Sequence, residues 1–153
     1  MSPPLRRNTL LRAVVAVAGC AIVYLGLDIA LGGIRTLGWQ GGAAEFVAVT
    51  DETAFGIHDS HVRFIGGVWL ALGLPWLAGA FALDRLRDVL IALTGMIFVG
   101  GLARLAGGDV ATLTSVAVAP SLVLELVFFP LLGFWIAKAV PAPNSHDGAF
   151  PRR

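Results

Sequence analysis

Charge is scarce in this sequence. Charged residues make up 14% of the 153 residues and hydrophobic residues 57%, whereas an ordinary soluble domain has about 25% charged residues. Such a composition is typical of a protein embedded in a lipid bilayer. The formal net charge is only +1, so the chain lacks the basic surface that a nucleic-acid-binding protein needs. We therefore expect the lipid bilayer as a partner and no nucleic-acid partner.

Cysteine and histidine are also too few to build the common structural or catalytic sites. The single cysteine, Cys20, has no second cysteine with which to form an internal disulfide. The sequence contains no nucleophile elbow, phosphate-binding loop, dinucleotide fingerprint or HExxH zinc motif. We predict no cofactor and no metal site, and these patterns leave open whether the protein is an enzyme.

Two of the three histidines lie in the polar segment "GIHDSHVRF", residues 56 to 64. His58, Asp59 and His61 could offer a metal three ligands, but this spacing is a weak signal. We interpret Asp59 or Ser60 as the N-cap of the second helix, because a side-chain oxygen there accepts from free backbone N–H groups. The two histidines and Asp59 are then candidate residues at the outer mouth of the helical domain.

Four apolar runs are long enough to cross a bilayer as helices, which takes about 20 residues each. Short connections, such as the charged stretch 84–88 between the second and third runs, make successive helices antiparallel neighbours. The sequence thus predicts an all-α, integral membrane, antiparallel four-helix bundle in one domain, 1–138, followed by a disordered cytoplasmic tail, 139–153. The predicted spans are about 13–34, 63–83, 89–106 and 114–137.

Lysine and arginine residues fall mostly on one side of these spans. They precede the first span, lie between the second and third, and follow the fourth, whereas the opposite side has Arg35 and, at its edge, Arg63. Positive charge is retained on the cytoplasmic side during insertion. Both termini are therefore predicted to be cytoplasmic, in a multi-pass protein of a cell membrane of the bacterial inner-membrane type.

Each span carries one ionisable residue in its outer half. At about 1.5 Å per residue, Asp28, Arg104 and Glu125 lie roughly 20–22 Å from the cytoplasmic edge of the hydrocarbon core. Arg63 opens the second span from the outer side. A lone ion facing lipid costs at least about 2.5–3.5 kcal/mol, so two acids and two arginines are expected to meet inside the bundle and neutralise one another.

Polar and small neighbours make such pairing possible. Tyr24 lies four residues before Asp28, and Ser121 lies four before Glu125, so each acid has a polar companion on its own helix face. Around Arg104 the stretch "GGLARLAGG" supplies glycines at which a neighbouring helix can approach closely.

The predicted polar cluster has two interpretations that the sequence leaves open. It either ties the helices together or lines a cavity, because ionisable groups inside a membrane are candidate functional sites. We predict a non-enzymatic protein that binds a small lipophilic or amphiphilic ligand, or an accessory subunit with a membrane protein as partner. An alternative is an intramembrane enzyme for a lipid or terpenoid-like substrate, with Glu125 or Asp28 transferring a proton. A third is a proton-coupled carrier.

Three stretches carry a resemblance to a known family. They are "DSHVRFIGGVWLALGL" (59–74), "GGLARLAGG" (100–108) and "LVLELVFFPLLGFW" (122–135). They are similar to the small four-span membrane proteins of the DUF4345 family, a domain of unknown function, from the first span to Trp135. The resemblance implies the four-helix fold and the membrane location, with Arg63, Arg104 and Glu125 as the polar signature. His61 departs from the acidic or amide residue associated with its region, and the family offers no agreed activity.

Overall fold

Long helices dominate the structure. The computed structural model describes residues 8–36 and 49–141, and the regular structure of these residues is helical, as predicted. The first three helices are α1, Thr9–Gly32, α2, Glu52–Phe81, and α3, Leu83–Gly107. A short 3-10 turn, Gly33–Arg35, follows α1.

The fourth stretch of helix is composite. After the single turn α4, Val110–Leu113, the chain forms α5, Ala119–Val123, a π-helical turn, Leu124–Phe128, and α6, Phe129–Ala139, which follow one another without a break. We call residues 119–139 the fourth helix. By length and hydropathy α1, α2, α3 and the fourth helix are each able to cross a membrane. Most of the predicted tail, 142–153, lies outside the described residues.

The helix α2 begins earlier than the sequence predicted. Its N-cap is Asp51, whose carboxylate accepts from the backbone N–H groups of Thr53 (2.9 Å) and Ala54 (3.0 Å). The prediction of Asp59 or Ser60 as the N-cap was wrong. Hydropathy marks where a helix becomes apolar, whereas a capping carboxylate marks where it begins.

The connection between α2 and α3 is also shorter than predicted. Residues 84–88 form the beginning of α3, and Ala82 alone separates the two helices. Asp84 lies in the first turn of α3, where a negative charge is favourable at the positive end of the helix dipole. The charged stretch is therefore helical, although its polarity resembles that of a loop.

Glycines allow α1 and α2 to lie in close contact. A Cβ added at Gly19 would lie 2.8 Å from the backbone nitrogen of Leu77, and one added at Gly66 would lie 2.7 Å from the carbonyl carbon of Ile29. Backbone atoms cannot give way as a flexible side chain does, so any larger residue at these positions would push the helices apart.

The hydrophobic core is centred on Trp76. Its side chain is fully buried and packs edge-on against Phe129, with the ring centroids 5.6 Å apart. The other large side chains that are almost fully buried belong to the first halves of α1 and α3 and to the region of α6: Leu11, Val15, Leu83, Leu90, Leu132, Ile136 and Val140. The densest packing is thus at the end of the molecule where α1 and α3 begin.

Arginines near the beginnings of two helices bind the ends of neighbouring helices. Arg12 in α1 donates to the carbonyl oxygens of Ala80 (3.0 Å) and Phe81 (2.8 Å) at the end of α2. Arg87 in α3 donates to the carbonyl oxygens of Val140 (2.7 Å) and Ala137 (3.3 Å) at the end of α6. The last carbonyls of a helix have no partner within it and carry the negative end of its dipole. These arginines therefore fasten helix to helix.

Candidate functional site

An ion pair joins the end of α3 to the fourth helix. Arg104, in the last turn of α3, places its Nε 3.3 Å from Oε1 of Glu125. Its Nη1 donates to the hydroxyl oxygen of Ser121 at 3.1 Å, and that hydroxyl donates in turn to the carbonyl oxygen of Val118 at 2.8 Å. We call Arg104, Ser121 and Glu125 the Arg104 site. The predicted meeting of Arg104 and Glu125 is present, while Ser121 binds the arginine and not the acid.

A change of helix type positions Glu125. The carboxylate belongs to the π-helical turn, in which the N–H of Phe129 donates to the carbonyl oxygen of Leu124, five residues back. Pro130 follows two residues after this turn; it has no N–H for the carbonyl of Leu126, and its ring would crowd that carbonyl in an α-helix. Widening the helix relieves this conflict, and π-helical turns inside α-helices are frequent at functional sites.

The two charged partners differ in burial. Glu125 is 8% exposed, whereas the side chain of Arg104 is 47% exposed. The second carboxylate oxygen, Oε2 of Glu125, is buried and accepts no hydrogen bond from the residues that the structure describes. A buried polar atom without a partner costs about 1–3 kcal/mol. The ion pair alone therefore leaves one strong hydrogen-bonding position of the site unused.

Glycines shape the surface on which Arg104 lies. At Gly101 a Cβ would lie 2.9 Å from Cβ of Glu125, so the absence of a side chain lets the two helices come together beside the ion pair. Gly100 and Gly107, about one turn before and after Arg104, have no such neighbour within 4 Å of an added Cβ. The surface of α3 is therefore open at these two glycines, and the side chain of Arg104 is itself 47% exposed.

Arg63 belongs to a separate arrangement at the end of α1. Its Nε lies 2.6 Å from Oδ2 of Asp59, and its Nη1 donates to the carbonyl oxygens of Ala30 (3.3 Å) and Leu31. Oδ1 of Asp59 accepts from the backbone N–H of Ile34 at 2.9 Å. We call Arg63 and Asp59, with these backbone groups of α1, the Arg63 clamp. Each charge in it has a partner, so the arrangement caps the end of α1.

Asp28 joins neither arrangement. It forms no ion pair within the described ranges, and its Oδ2 is buried without a hydrogen-bond partner there. Tyr24, one turn earlier on the same face, is 61% exposed. The prediction of one cluster containing Asp28, Arg63, Arg104 and Glu125 therefore needs correction. Arg63 is occupied by Asp59 and α1, and only Arg104 and Glu125 pair across helices as the sequence suggested.

The two histidines of the segment 56–64 lie on α2. Nδ1 of His58 donates to the carbonyl oxygen of Ala54, and Nδ1 of His61 donates to that of Ile57, each at 2.8 Å and one turn back. Both side chains are exposed, and no group of three metal-binding side chains occurs among the residues that were described. Asp59 between them is committed to the Arg63 clamp, which the sequence analysis missed because the clamp depends on the position of α1.

The π-helical turn is the part of the site that sequence reasoning missed. Its signal in the sequence is Pro130, five residues after Glu125. Such a proline disturbs the hydrogen bond to the residue four places earlier, which lies next to Glu125. A proline so placed can end, kink or widen a helix, so the π-helical outcome needed the structure.

A protein-family model matches most of the chain. The model is described as "Domain of unknown function (DUF4345)", and it covers residues 10–136. The matched range includes all residues of the Arg104 site and of the Arg63 clamp. No curated protein and no solved structure matches the chain.

Proposed function

The chain belongs to the DUF4345 family, and we propose that it is a membrane protein whose Arg104 site binds a small amphiphilic ligand through a hydroxyl group. The family match and the four apolar helices fit a multi-pass membrane protein. The observation that carries the ligand proposal is the buried, unpartnered Oε2 of Glu125 beside the half-exposed guanidinium of Arg104.

An antiparallel four-helix bundle is the arrangement that we propose in the membrane. Arg12 near the start of α1 contacts the end of α2, and Arg63 of α2 contacts the end of α1. Arg87 near the start of α3 contacts the end of the fourth helix. These contacts support opposite directions for α1 and α2 and for α3 and the fourth helix.

Both termini are proposed to lie in the cytoplasm, because the chain ends and the start of α3 hold most of the cations. The Arg104 site then lies toward the outer surface. Two cysteine variants test this orientation in a chain whose only cysteine, Cys20, has been replaced by alanine. A membrane-impermeant maleimide applied to intact cells should label Ser60→Cys and should label Arg85→Cys only after lysis. The reverse pattern would overturn the proposed orientation.

A hydroxyl group suits the chemistry of the Arg104 site. It can accept a hydrogen bond from an exposed N–H of Arg104 and, once a rotation of the Glu125 side chain brings the buried Oε2 to the surface, donate one to that oxygen. Hydrogen bonds to charged groups are worth about 1.5–3 kcal/mol each, and they gain importance where water is scarce. An apolar remainder would lie along the exposed small residues of α3 and in the surrounding lipid.

Comparison of purified variants tests the ligand proposal. Five proteins would be purified with native lipids, and their organic extracts would be compared by mass spectrometry. They are wild type, the site variants Arg104→Gln and Glu125→Gln, and the controls Arg63→Gln and Gly67→Ala. We expect a hydroxyl-bearing lipophilic compound with wild type and both controls, Arg63→Gln and Gly67→Ala, and at least a tenfold loss, about 1.4 kcal/mol, in the two site variants. Equal extracts from all five proteins would contradict the proposal. A co-purifying membrane protein in place of the compound would favour the accessory-subunit alternative.

An intramembrane enzyme is the second candidate, and the same unpartnered oxygen favours it. A buried carboxyl group with one free oxygen can accept a proton from a bound substrate or return it. The substrate would be a lipid or terpenoid-like molecule held by Arg104. In this case Glu125→Gln should retain the compound and stop its conversion, so that extracts of wild type contain a product that extracts of the variant lack. Simple binding predicts the same single compound, diminished in the variant.

A further inference from the structure

A groove between α3 and α6 lies next to the Arg104 site, on the side toward the beginning of α3; its wall residue Phe98 precedes Arg104 by six residues, roughly 9 Å of helix. Its volume is about 370 Å³. Each helix contributes four residues to its walls: Ile91, Thr94, Gly95 and Phe98 from α3, and Pro130, Gly133, Phe134 and Ala137 from α6. At about 1.5 Å per residue, it extends roughly 10 Å along each helix. The volume is within the range of about 300–1,000 Å³ that is usual for small-molecule sites.

The interior of the groove is apolar. Thr94 is its one hydroxyl-bearing wall residue, and that hydroxyl donates to the carbonyl oxygen of Ile91 at 2.6 Å. The remaining walls are glycine, alanine, proline and hydrocarbon side chains. Gly95 leaves one wall without a side chain, and no atom of a neighbouring helix lies within 4 Å of where its Cβ would be. A hydrocarbon chain fits these walls, whereas a polar ligand would find only the acceptor lone pairs of the buried Thr94 hydroxyl.

A cation lies at one end of the groove. The ammonium of Lys138 is 5.5 Å from the ring centroid of Phe134, a wall residue, and Lys138 directly follows the wall residue Ala137. Lys138 has no carboxylate within ion-pair distance in the part of the chain that the structure describes. The nearby Arg87 is occupied by Asp88 and by the carbonyl oxygens at the end of α6. Lys138 is therefore a cation beside the groove that is available to an anion.

From the apolar walls and the adjacent lysine we infer that the groove binds one anionic phospholipid, with an acyl chain against Gly95 and the phosphate at Lys138. Basic positions between membrane helices on the cytoplasmic side are suited to anionic headgroups. The phosphate would lie at the surface where the sequence concentrates its cations. The inference rests on the proposed insertion in a membrane and is independent of the ligand at the Arg104 site.

Native mass spectrometry of the full-length protein tests the site. Detergent-purified protein would be mixed with phosphatidylglycerol or phosphatidylcholine at equal concentrations, and the retained lipids counted. We expect about a fivefold preference for phosphatidylglycerol, which corresponds to about 1 kcal/mol for one lysine near an anionic group. Lys138→Gln should remove the preference, whereas Arg85→Gln, which removes an equal charge at the same end, should keep it.

A substitution at Gly95 tests whether the acyl chain binds in the groove. A Cβ at Gly95 meets no neighbour within 4 Å, so Gly95→Leu should extend into the groove, and Gly67→Leu adds the same side chain at another open glycine, on α2. Gly95→Leu should lower the retention of both lipids at least fivefold, and Gly67→Leu should leave it unchanged. Equal retention by these two variants, or an unchanged preference in Lys138→Gln, would overturn the inference. Glu125→Gln should retain phosphatidylglycerol as wild type does, so failure of the Arg104 site would be seen separately.

Discussion

Arginine has different roles in the Arg63 clamp and in the Arg104 site. In the clamp, Asp59 and Arg63 are bound to each other and to backbone groups of α1, so both charges are satisfied. In the Arg104 site, one arginine meets one carboxylate and a serine, and one buried carboxylate oxygen has no partner in the described structure. A fully paired arrangement can do little but hold helices together. An incompletely paired one can hold the helices and still bind something else.

Most of the other arginines with described contacts resemble Arg63 and differ from Arg104. They are Arg12 and Arg87. Arg12, Arg63 and Arg87 all donate to carbonyl oxygens at the end of another helix, so each replaces a missing cap in a neighbour. Arg104 lies in the last turn of its own helix and reaches a side-chain acid instead. Its position is not explained by capping another helix, and this exception is what distinguishes it as a candidate functional residue.

The largest effect is expected from the helix contact that supports the clamp. Gly66→Ala places a methyl group against the backbone of Ile29 in α1 and should lower the free energy of unfolding by about 3 kcal/mol. Gly67→Ala adds the same methyl group in open space and should raise stability by up to about 1 kcal/mol through helix propensity. Thermal unfolding followed by circular dichroism in detergent measures both. Equal midpoints for the two variants would show that α1 and α2 do not meet at Gly66.

The next effect concerns the clamp arginine. Arg63→Gln removes the charge that binds Asp59 and the carbonyl oxygens of α1. Because the arginine is partly exposed, we expect a loss of about 1–2 kcal/mol and not the full value of a buried charged hydrogen bond. The double variant Asp59→Leu with Arg63→Leu should not recover stability, since the α1 carbonyls still lack their donor. Recovery would mean that the clamp is only an ion pair, and the comparison with the Arg104 site would fail.

The Arg104 site should behave in the opposite way. Arg104→Leu leaves Glu125 buried without its cation and should lower stability by about 1–2 kcal/mol, below the 3–5 kcal/mol of a fully buried pair because Arg104 is half exposed. Adding Glu125→Leu should restore at least half of this loss, because no backbone acceptor is left behind. Urea unfolding of the single and double variants in detergent provides the measurement. A double variant less stable than Arg104→Leu would contradict mutual compensation.

The smallest effect is expected at Asp109, outside both arrangements. Its carboxylate accepts from the hydroxyl of Thr112 (2.7 Å) and from its N–H (3.1 Å), and these hydrogen bonds hold the pKa of Asp109 below its ordinary value. Its contribution to stability is therefore present above the unfolded pKa of about 3.9 and is lost as the pH falls through the lower folded pKa. Asp109→Ala should speed amide exchange at Thr112 at neutral pH, with little change in unfolding midpoint. Asp109→Asn should retain most of the cap, and equal exchange in both variants would exclude capping by the side chain.

Hydropathy predicted the number of long apolar helices well because that property depends on each segment alone. The four spans differ from the structure mainly at polar ends: residues 52–62 and 84–88 are helical although they are not apolar. A helix that continues beyond an apolar run is held by caps such as Asp51 and by ordinary propensity, neither of which raises hydropathy. The sequence therefore located the helices and underestimated the lengths of α1, α2 and α3. It placed the start of the fourth helix five residues too early, because residues 114–118 form a turn.

The candidate site was predictable in part for a similar reason. Arg104 and Glu125 stood out because charges inside apolar runs need partners, and the structure joins them. Depth along each span could not show which helix faces which, so Asp28 and Arg63 were placed in the same cluster. Asp59 was assigned to the start of α2 because its partners, Arg63 and the end of α1, are brought together only by tertiary packing.

Ala82, the single residue between α2 and α3, determines how α3 is rotated about its own axis relative to α2. Each residue of an α-helix turns the side chains by about 100°, so a residue inserted at this connection and incorporated into α3 would rotate the rest of α3 relative to α2 by about that angle. Leu90 would leave the core, and Arg104, 22 positions away, would point elsewhere. The rotation of α3 about its own axis therefore depends on this one-residue connection. We expect natural insertions and deletions to avoid it.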